Sequence, residues 1–274
     1  VLLYRLDVPK RFAEVWRALA KLERRIDERR MIRMNAAAEL EGKSFAEAAK
    51  LLDAAAAPTV AAKRQFLSAL FADDFWRLTA QHLLLVFVSL AASIALGVPL
   101  GIAAAKVPRA AQPILGTVGV IQTIPSLALF AFLIALVGTI GTIPALIALF
   151  LYALLPIVRN THAGLEGIGR GMRQASLALG LRARERLWLI EVPLALPSIL
   201  AGIKTSAVIN VGTATIAAFI GAGGYGERIA SGLALNDTIT LLSGAIPAAA
   251  LALIVQGAFE LGERRFGWMA RARG

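Results

Sequence analysis

LLLVFVSLAASIALGVPLGIAAA, residues 83–105, contains no charged side chain. A helix needs roughly 20 mostly apolar residues to cross the hydrocarbon core of a bilayer, so this stretch is predicted to span a membrane. The whole chain is 58% hydrophobic, with a mean hydropathy of +0.69, whereas a soluble domain is about 45–50% apolar. The apolar excess begins after residue 82, so the composition separates a charged N-terminal piece from a membrane piece.

Four more apolar stretches have the composition of membrane spans: residues 113–138, 142–158, 196–221 and 238–261. Pro125 interrupts the first of these, and a proline breaks the hydrogen-bond ladder of a helix. A short helix is therefore predicted to end near Gln122, with the span starting at Pro125. The predicted fold class is all-α, a polytopic membrane helix bundle of about five transmembrane helices with a small helical extramembrane segment at the N-terminus.

Basic residues are distributed unevenly between the connecting loops. They are frequent after the first span, in the long loop 159–197 and in the tail 263–274, whereas the loops at the other face contain only Arg228. Cytoplasmic loops carry the excess of Lys and Arg in membrane proteins. The long loop and the C-terminal tail are therefore predicted to be cytoplasmic and the N-terminus external.

Several classes of site are not expected. The net charge of +11 would suggest nucleic acid in a soluble protein, but here it follows from loop topology, so no nucleic-acid partner is predicted. The chain contains no Cys, and its two His residues, His82 and His162, are far apart. No metal site is expected, because the usual clusters of metal-binding side chains are missing from the sequence.

GAGGYG, residues 221–226, contains the G-x-G-x-x-G spacing of dinucleotide-binding loops. That motif requires a preceding strand and an acidic residue about 20 positions later, but a predicted membrane helix precedes it and Leu241 occupies the later position. Gly221, Gly223, Gly224 and Gly226 are instead predicted to form a tight turn in an external loop, using backbone angles that other residues disfavour. No cofactor is expected to bind this chain.

The loop 159–197 is too long to be a simple connection. Met172, Ala175 and Leu179 are predicted to share a short helix, which Gly180 would end in the left-handed conformation. Three arginines follow, at 182, 184 and 186. A short helix across the membrane face with a basic end is predicted to be a docking element for another protein.

The same loop resembles the EAA motif of ABC importer permeases of type I. Ala175, Gly180, Ile190 and Pro193 match that pattern at its own spacing, whereas Gln174 replaces the usual Glu and Ser176 the usual Ala. The resemblance implies that these six residues form a coupling loop for a separate cytoplasmic ABC ATPase, which would hold ATP and Mg. It also implies a bacterial-type cytoplasmic membrane, a second permease copy, most simply in a homodimer, and a small-molecule solute, with lipid around the spans.

Four further segments resemble the permeases that import glycine betaine, choline and related osmoprotectants; they are residues 82–102, 121–134, 159–165 and 220–229. A permease for another small solute, such as an amino acid, is the alternative within the same superfamily. An ion-coupled secondary transporter and a membrane enzyme are less favoured, because the spans contain no central Asp or Glu and no acid–base pair is recognisable. The chain is therefore expected to be a transport subunit and not an enzyme.

The N-terminal piece has helical spacing of its apolar residues, and Ser44 with Glu47 fits a capping box for a helix to Leu52. Residues 31–52 resemble the C-terminal end of the substrate-binding proteins that serve these permeases. The implied domains are a binding-protein remnant at 1–55, a linker at 56–65, a permease at 66–262 and the tail. A charged helical extension is the alternative for the first of them, and 66–78 are predicted to form a helix at the membrane interface.

Polar side chains within the spans are candidates for the solute path, because they are costly in lipid. Ser206, Asn210 and Thr213 share one helical face, and Gln122 and Ser126 flank the break at Pro125. Helix packing through small and hydroxyl residues is the alternative for each of them. The freed backbone groups beside Pro125 are expected to need partners.

Overall fold

The computed structural model describes residues 11–20, 34–38, 44–51 and 66–271, and every regular element within these ranges is a helix. The chain forms two compact units, residues 1–64 with 235–237, and residues 65–234 with 238–274. The all-α prediction is therefore confirmed. The predicted linker 56–65 lies outside the described residues.

The first unit contains helix α1 (Ala13–Ala20), a helical stretch at 34–38 and helix α2 (Phe45–Lys50). The predicted capping box is confirmed. The Glu47 amide donates to Ser44 Oγ at 3.3 Å, and the Ser44 amide donates to Glu47 Oε2 at 3.0 Å. Helix α2 ends at Lys50 with Leu51 as its cap, whereas the predicted end at Leu52 lies outside the described residues.

The second unit contains the membrane helices. Its elements in chain order are α3 (Phe66–Leu70), α4 (Phe75–Lys106), α5 (Pro108–Thr123), α6 (Ser126–Val137), α7 (Thr142–Glu166), α8 (Arg170–Ala178), α9 (Ala183–Arg186), a π-helix (Leu187–Glu191), α10 (Val192–Ala217), a 3₁₀ turn (Ala218–Ile220), α11 (Gly226–Ala234) and α12 (Thr238–Arg271).

Four of these helical segments are long and apolar enough to cross a membrane, and α5 with α6 makes a fifth if the pair counts as one span. The pair is bent by 103° at the predicted break beside Pro125. Helix α6 has 12 residues and is about 18 Å long, so it cannot cross a core of about 30 Å alone. The position of the break is confirmed, but the second span is a bent pair.

Some predicted boundaries are wrong. Helix α7 continues to Glu166, so the long loop begins eight residues later than predicted, because a helix can continue past the end of its apolar stretch into polar residues. The predicted interfacial helix 66–78 is divided, since α3 ends at Leu70 and α4 begins at Phe75. Phe75 and Trp76 therefore belong to the first membrane helix.

Helices α4, α7 and α10 form the centre of the bundle and pack closely through glycines. A Cβ added at Gly97 would lie 2.9 Å from Ile157 Cγ2, and one added at Gly202 would lie 2.7 Å from both the Pro156 oxygen and Asn160 Cβ. Small residues at such contacts let helix backbones approach one another in a membrane. The spacing leaves no room for larger side chains at these positions.

The bundle has two ends with different contacts. The loop end comprises Lys106 at the end of α4 and residues 166–191. The glycine end comprises residues 74–82 at the start of α4 and residues 221–228. At about 1.5 Å per residue, the 32 residues of α4 extend about 48 Å and connect the two ends.

Candidate functional site

Helix α8 at the loop end is closed by a Schellman motif. Gly180 has φ +72, its amide donates to the Leu177 oxygen at 2.9 Å, and the Leu181 amide donates to the Ser176 oxygen at 3.3 Å. These are the paired bonds that satisfy the last carbonyl groups of a helix. The predicted left-handed end at Gly180 is confirmed.

The two faces of α8 have different surroundings. Ser176 is buried, and Arg173, three residues earlier on the same inner face, donates to the Leu165 oxygen at 2.8 Å. Met172, Ala175 and Leu179 are exposed. The exposed face therefore presents small and apolar side chains beside one another, a surface suited to contact with another protein.

The predicted coupling residues divide between these surroundings. Gln174, Ala175, Gly180 and Pro193 are exposed, Ile190 is half-buried, and Ser176 is buried. The predicted group is therefore not one continuous surface, and Ser176 faces the bundle.

The loop leads into α10 through the π-helix Leu187–Glu191. π-Helices are rare in proteins, and those that occur frequently lie at functional sites. Glu191 is buried in it and forms ion pairs with Lys106 Nζ and with Arg186 Nε, the latter at 3.3 Å. Arg186, considered above as a contact for another protein, is thus engaged within the chain, while Arg182 and Arg184 are exposed.

Glu191 was not predicted from the sequence as part of this cluster. Its partner Lys106 lies 85 positions away, so the pairing has no local pattern. The available signal was the residue itself, since an acidic side chain five residues before a predicted apolar helix has a cost that a partner must offset. Such a residue can be expected to need a partner, but the sequence does not indicate which residue the partner is.

Two of the three candidate path residues of α10, Ser206 and Asn210, lie in the bundle interior. Ser206 Oγ donates to the Ala153 oxygen at 2.7 Å, and Asn210 Nδ2 donates to Ser89 Oγ at 2.9 Å. Thr213 is half-buried and donates to the Ile209 oxygen of its own helix at 2.9 Å. Ser206 and Asn210 therefore connect α10 to α7 and α4.

Gln122 and Ser126 are half-buried beside the bend between α5 and α6, on different elements from the α10 residues. The Ile124 carbonyl at the bend accepts a hydrogen bond from the Tyr152 hydroxyl. The expectation that backbone groups freed near Pro125 find partners is confirmed for this carbonyl.

The glycine loop, residues 221–228 leading into α11, uses its glycines in two ways. Gly221, Gly223 and Gly224 have φ of +76, +84 and +81, which L side chains rarely adopt. The Gly224 amide donates to Gln81 Oε1 at 3.2 Å, and a Cβ added at Gly224 would lie 3.0 Å from His82 Nδ1. Gly226 does not have positive φ but is too close to α10 to carry a side chain.

Arg228 anchors this loop to the start of α4. Its Nη2 lies 2.6 Å from Asp74 Oδ1, and its Nη1 donates to the Leu70 oxygen at 2.8 Å and to the Ser243 oxygen at 3.3 Å. The hydrogen bond from Arg228 holds the pKa of the Asp74 carboxyl below its ordinary value, against the opposing effect of burial. One guanidinium therefore connects α11 to α3, α4 and α12.

Residues 97–268 match the family described as "Binding-protein-dependent transport system inner membrane component". The chain belongs to this family. It is therefore a multi-pass inner-membrane transport permease, and the predicted ABC importer permease function is confirmed at that level.

Relatives of this permease are named for osmoprotectant transport. It is 40% identical over 187 residues to the glycine betaine/carnitine/choline transport system permease protein OpuCB of Bacillus subtilis, covering 68% of this chain and 86% of the relative. It is 43% identical over 182 residues to the osmoprotectant import permease protein OsmW of Salmonella typhimurium, covering 65% and 85%.

The fold also matches a solved structure. A chain of the MetNI methionine ABC transporter in an inward-facing conformation aligns with a TM-score of 0.64 at 21% identity, covering 70% of the permease and 97% of that chain. Identity at this level supports the fold alone. The predicted type I ABC importer permease fold is confirmed.

Proposed function

We propose that this permease moves a quaternary-ammonium osmoprotectant of the glycine betaine, choline and carnitine class into the cell. The observation that carries the proposal is the identity of 38–43% to permeases named for these solutes. The amino-acid alternative has weaker support, since the methionine transporter shares only 21% identity.

A separate cytoplasmic ABC ATPase is proposed to dock on the exposed face of α8. Met172, Ala175 and Leu179 supply the apolar part of that face, and the exposed Arg182 and Arg184 follow it. The ATPase would hold ATP and Mg, and its closure would move α8 relative to the bundle. The permease would supply the solute path and no nucleotide site.

The topology proposed for the chain has the loop end in the cytoplasm and the glycine end outside. The excess of basic residues in the long loop and the C-terminal tail supports this orientation. Large apolar side chains exposed on α6 and α12 suit contact with lipid or with a second permease copy, and a homodimer is proposed; they include Leu136, Leu253, Ile254 and Leu261.

A binding-protein remnant is proposed for residues 1–55, which lie outside the matched family segment 97–268. The supporting observation is the resemblance of residues 31–52 to the end of such proteins. An external N-terminus would place a tethered binding protein where it can deliver solute. A fusion of this kind raises the effective concentration of the binding protein at the permease to the order of millimolar.

Gly180 offers a test of ATPase docking. A Cβ added at this position would meet no atom of the described chain within 4 Å, so a larger side chain there has open space that a docked partner would occupy. Gly180→Arg is expected to lower ATPase co-purification and glycine betaine uptake by about tenfold, corresponding to roughly 1.4 kcal/mol of docking free energy. Both are measured after reconstitution of the full chain.

Gly180→Ala is the matched control, because it introduces the same backbone strain with a small side chain. It is expected to retain most of the uptake. Normal uptake by Gly180→Arg would contradict docking at this face, and equal losses in the two variants would attribute the effect to strain. Competition between glycine betaine, choline and carnitine in the wild-type complex tests the solute class.

A further inference from the structure

The geometry points to Glu191 as a positioning residue that transmits movement of the ATPase-docked loop to the end of helix α4. This inference rests on the proposed docking of an ATPase at α8. It concerns a different step, the mechanical connection between the docked loop and the membrane helices. Backbone continuity already connects the loop to α7 and α10, and Glu191 would add α4.

The cluster joins two elements that are distant in sequence. Lys106 is the last residue of α4, Glu191 is the last residue of the π-helix, and Arg186 ends the short helix α9. Glu191 accepts from Lys106 through Oε2 and pairs with Arg186 through Oε1. The two oxygens of the Glu191 carboxylate thus pair with different elements, α4 through Lys106 and α9 through Arg186.

Burial makes this connection costly to break. Glu191 is only 2% exposed, and a buried carboxylate that loses its partners keeps an uncompensated desolvation cost. When the loop moves, the carboxylate therefore tends to keep Lys106 beside it. Because that lysine terminates α4, the end of α4 is drawn along with the loop.

The other end of α4 carries the connection across the membrane. Gln81 accepts from the Gly224 amide, and Asp74 pairs with Arg228, so the start of α4 is bonded to the glycine loop. Displacement of α4 at the loop end would therefore reach the glycine loop. The chain of contacts is Glu191, Lys106, α4, and then Gln81 and Asp74.

The experiment uses the full chain assembled with its ATPase subunits in proteoliposomes. The first measurement is the amount of glycine betaine transported per ATP hydrolysed, normalised to assembled complex. The second is hydrogen–deuterium exchange of residues 101–107 and 187–191, with and without a non-hydrolysable ATP analogue. The variants are Glu191→Gln and Lys106→Met, with Glu166→Gln as the control because Glu166 is an exposed acid at the same end.

In the wild-type complex the analogue is expected to change exchange in both segments. In Glu191→Gln and Lys106→Met the change is expected to persist at 187–191 and disappear at 101–107, with the transport-to-ATP ratio falling about tenfold. Glu166→Gln should behave as wild type. Should Glu191→Gln fail to assemble, Lys106→Met decides, because it leaves Glu191 paired with Arg186.

Two results would overturn the inference: no response at 101–107 in the wild-type complex, or a normal response with a normal ratio in an assembled variant. A failure of the proposed function is recognised separately. Absence of ATP-dependent uptake in the wild-type complex would count against the proposed solute, while the exchange measurement would still report the connection through Glu191.

Discussion

Helix α4 carries a charge cluster at each end, and the two clusters differ in which member is buried. At the loop end the acid is buried, with Glu191 2% exposed, while its partner Lys106 is 32% exposed. At the glycine end the base is buried, with Arg228 7% exposed, while its partner Asp74 is 39% exposed. The two ion pairs therefore differ in which partner is buried: the acid at the loop end and the base at the glycine end.

The partners of the buried group also differ. Arg228 donates to two backbone carbonyls in addition to Asp74, and backbone groups cannot change rotamer. Glu191 is held by the long side chains of Lys106 and Arg186, which can adjust as the loop moves. The glycine end is therefore suited to be a fixed anchor, and the loop end a connection that moves.

The largest expected effect comes from removing the carboxylate charge at each end. Asp74→Asn leaves the buried Arg228 without a counter-charge, which is expected to cost about 3 kcal/mol of folding free energy. Glu191→Gln leaves Lys106 and Arg186, whose side chains are partly exposed, so its expected cost is about 1 kcal/mol. Thermal unfolding in detergent measures both variants against wild type.

Equal losses of stability in the two variants would contradict this comparison, since the expected difference comes from which charge remains buried. A larger loss for Glu191→Gln would reverse it and would make the loop end the stronger structural anchor. Folded yield after membrane extraction serves as the control for insertion.

The next effect compares two left-handed glycines, one at each end. Gly180→Ala meets no neighbour, so only backbone strain of about 1 kcal/mol is expected. Gly224→Ala adds a Cβ 3.0 Å from His82 Nδ1 to the same strain, and His82 is fully buried. Its total cost is expected to be about 2–3 kcal/mol, measured as the difference in unfolding temperature. Similar losses of stability in the two variants would show that His82 can shift away from the added Cβ at little cost.

Local patterns account for what the sequence predicted correctly. Span positions follow from apolar length, the break follows from Pro125, and the helix ends at Ser44 and Gly180 follow from side-chain and backbone preferences within a few residues. The bend of 103° did not follow, because Pro125 removes a hydrogen bond but the packing of α5 and α6 sets their angle.

Contacts between helices that are far apart in the chain could not be predicted from the sequence. The period of α10 placed Ser206 and Asn210 on one face, yet whether that face meets a path or the helices α4 and α7 depends on the whole bundle. The same holds for Arg228, which the sequence presents as one loop charge. Its partner Asp74 lies 154 positions away.

Acid is expected to weaken the glycine end. The pKa of Asp74 is lowered in the folded chain by its hydrogen bond to Arg228, so the folded state favours the charged carboxylate. This stabilisation is complete above the ordinary carboxyl value of 3.8 and is lost as the pH falls through the lowered folded value. The difference in unfolding temperature between wild type and Asp74→Asn should therefore shrink below about pH 4. A difference that stays constant with pH would contradict a charged Asp74.

The smallest effect is expected from the exposed ion pair beside the anchor. Arg77 Nη2 lies 2.9 Å from Glu227 Oε2, with side chains 51% and 39% exposed. Water screens such a pair, so Arg77→Gln is expected to cost less than about 1 kcal/mol, or up to roughly 3 °C of unfolding temperature. Glu227→Gln is the matched control and should give the same loss of stability, which added salt should reduce.

Arg77 also donates to Gln81 Oε1 at 3.1 Å, the same oxygen that accepts the hydrogen bond from the Gly224 amide. A much larger loss in Arg77→Gln alone would therefore mean that Arg77 contributes to the anchor by positioning Gln81, and not through its pairing with Glu227.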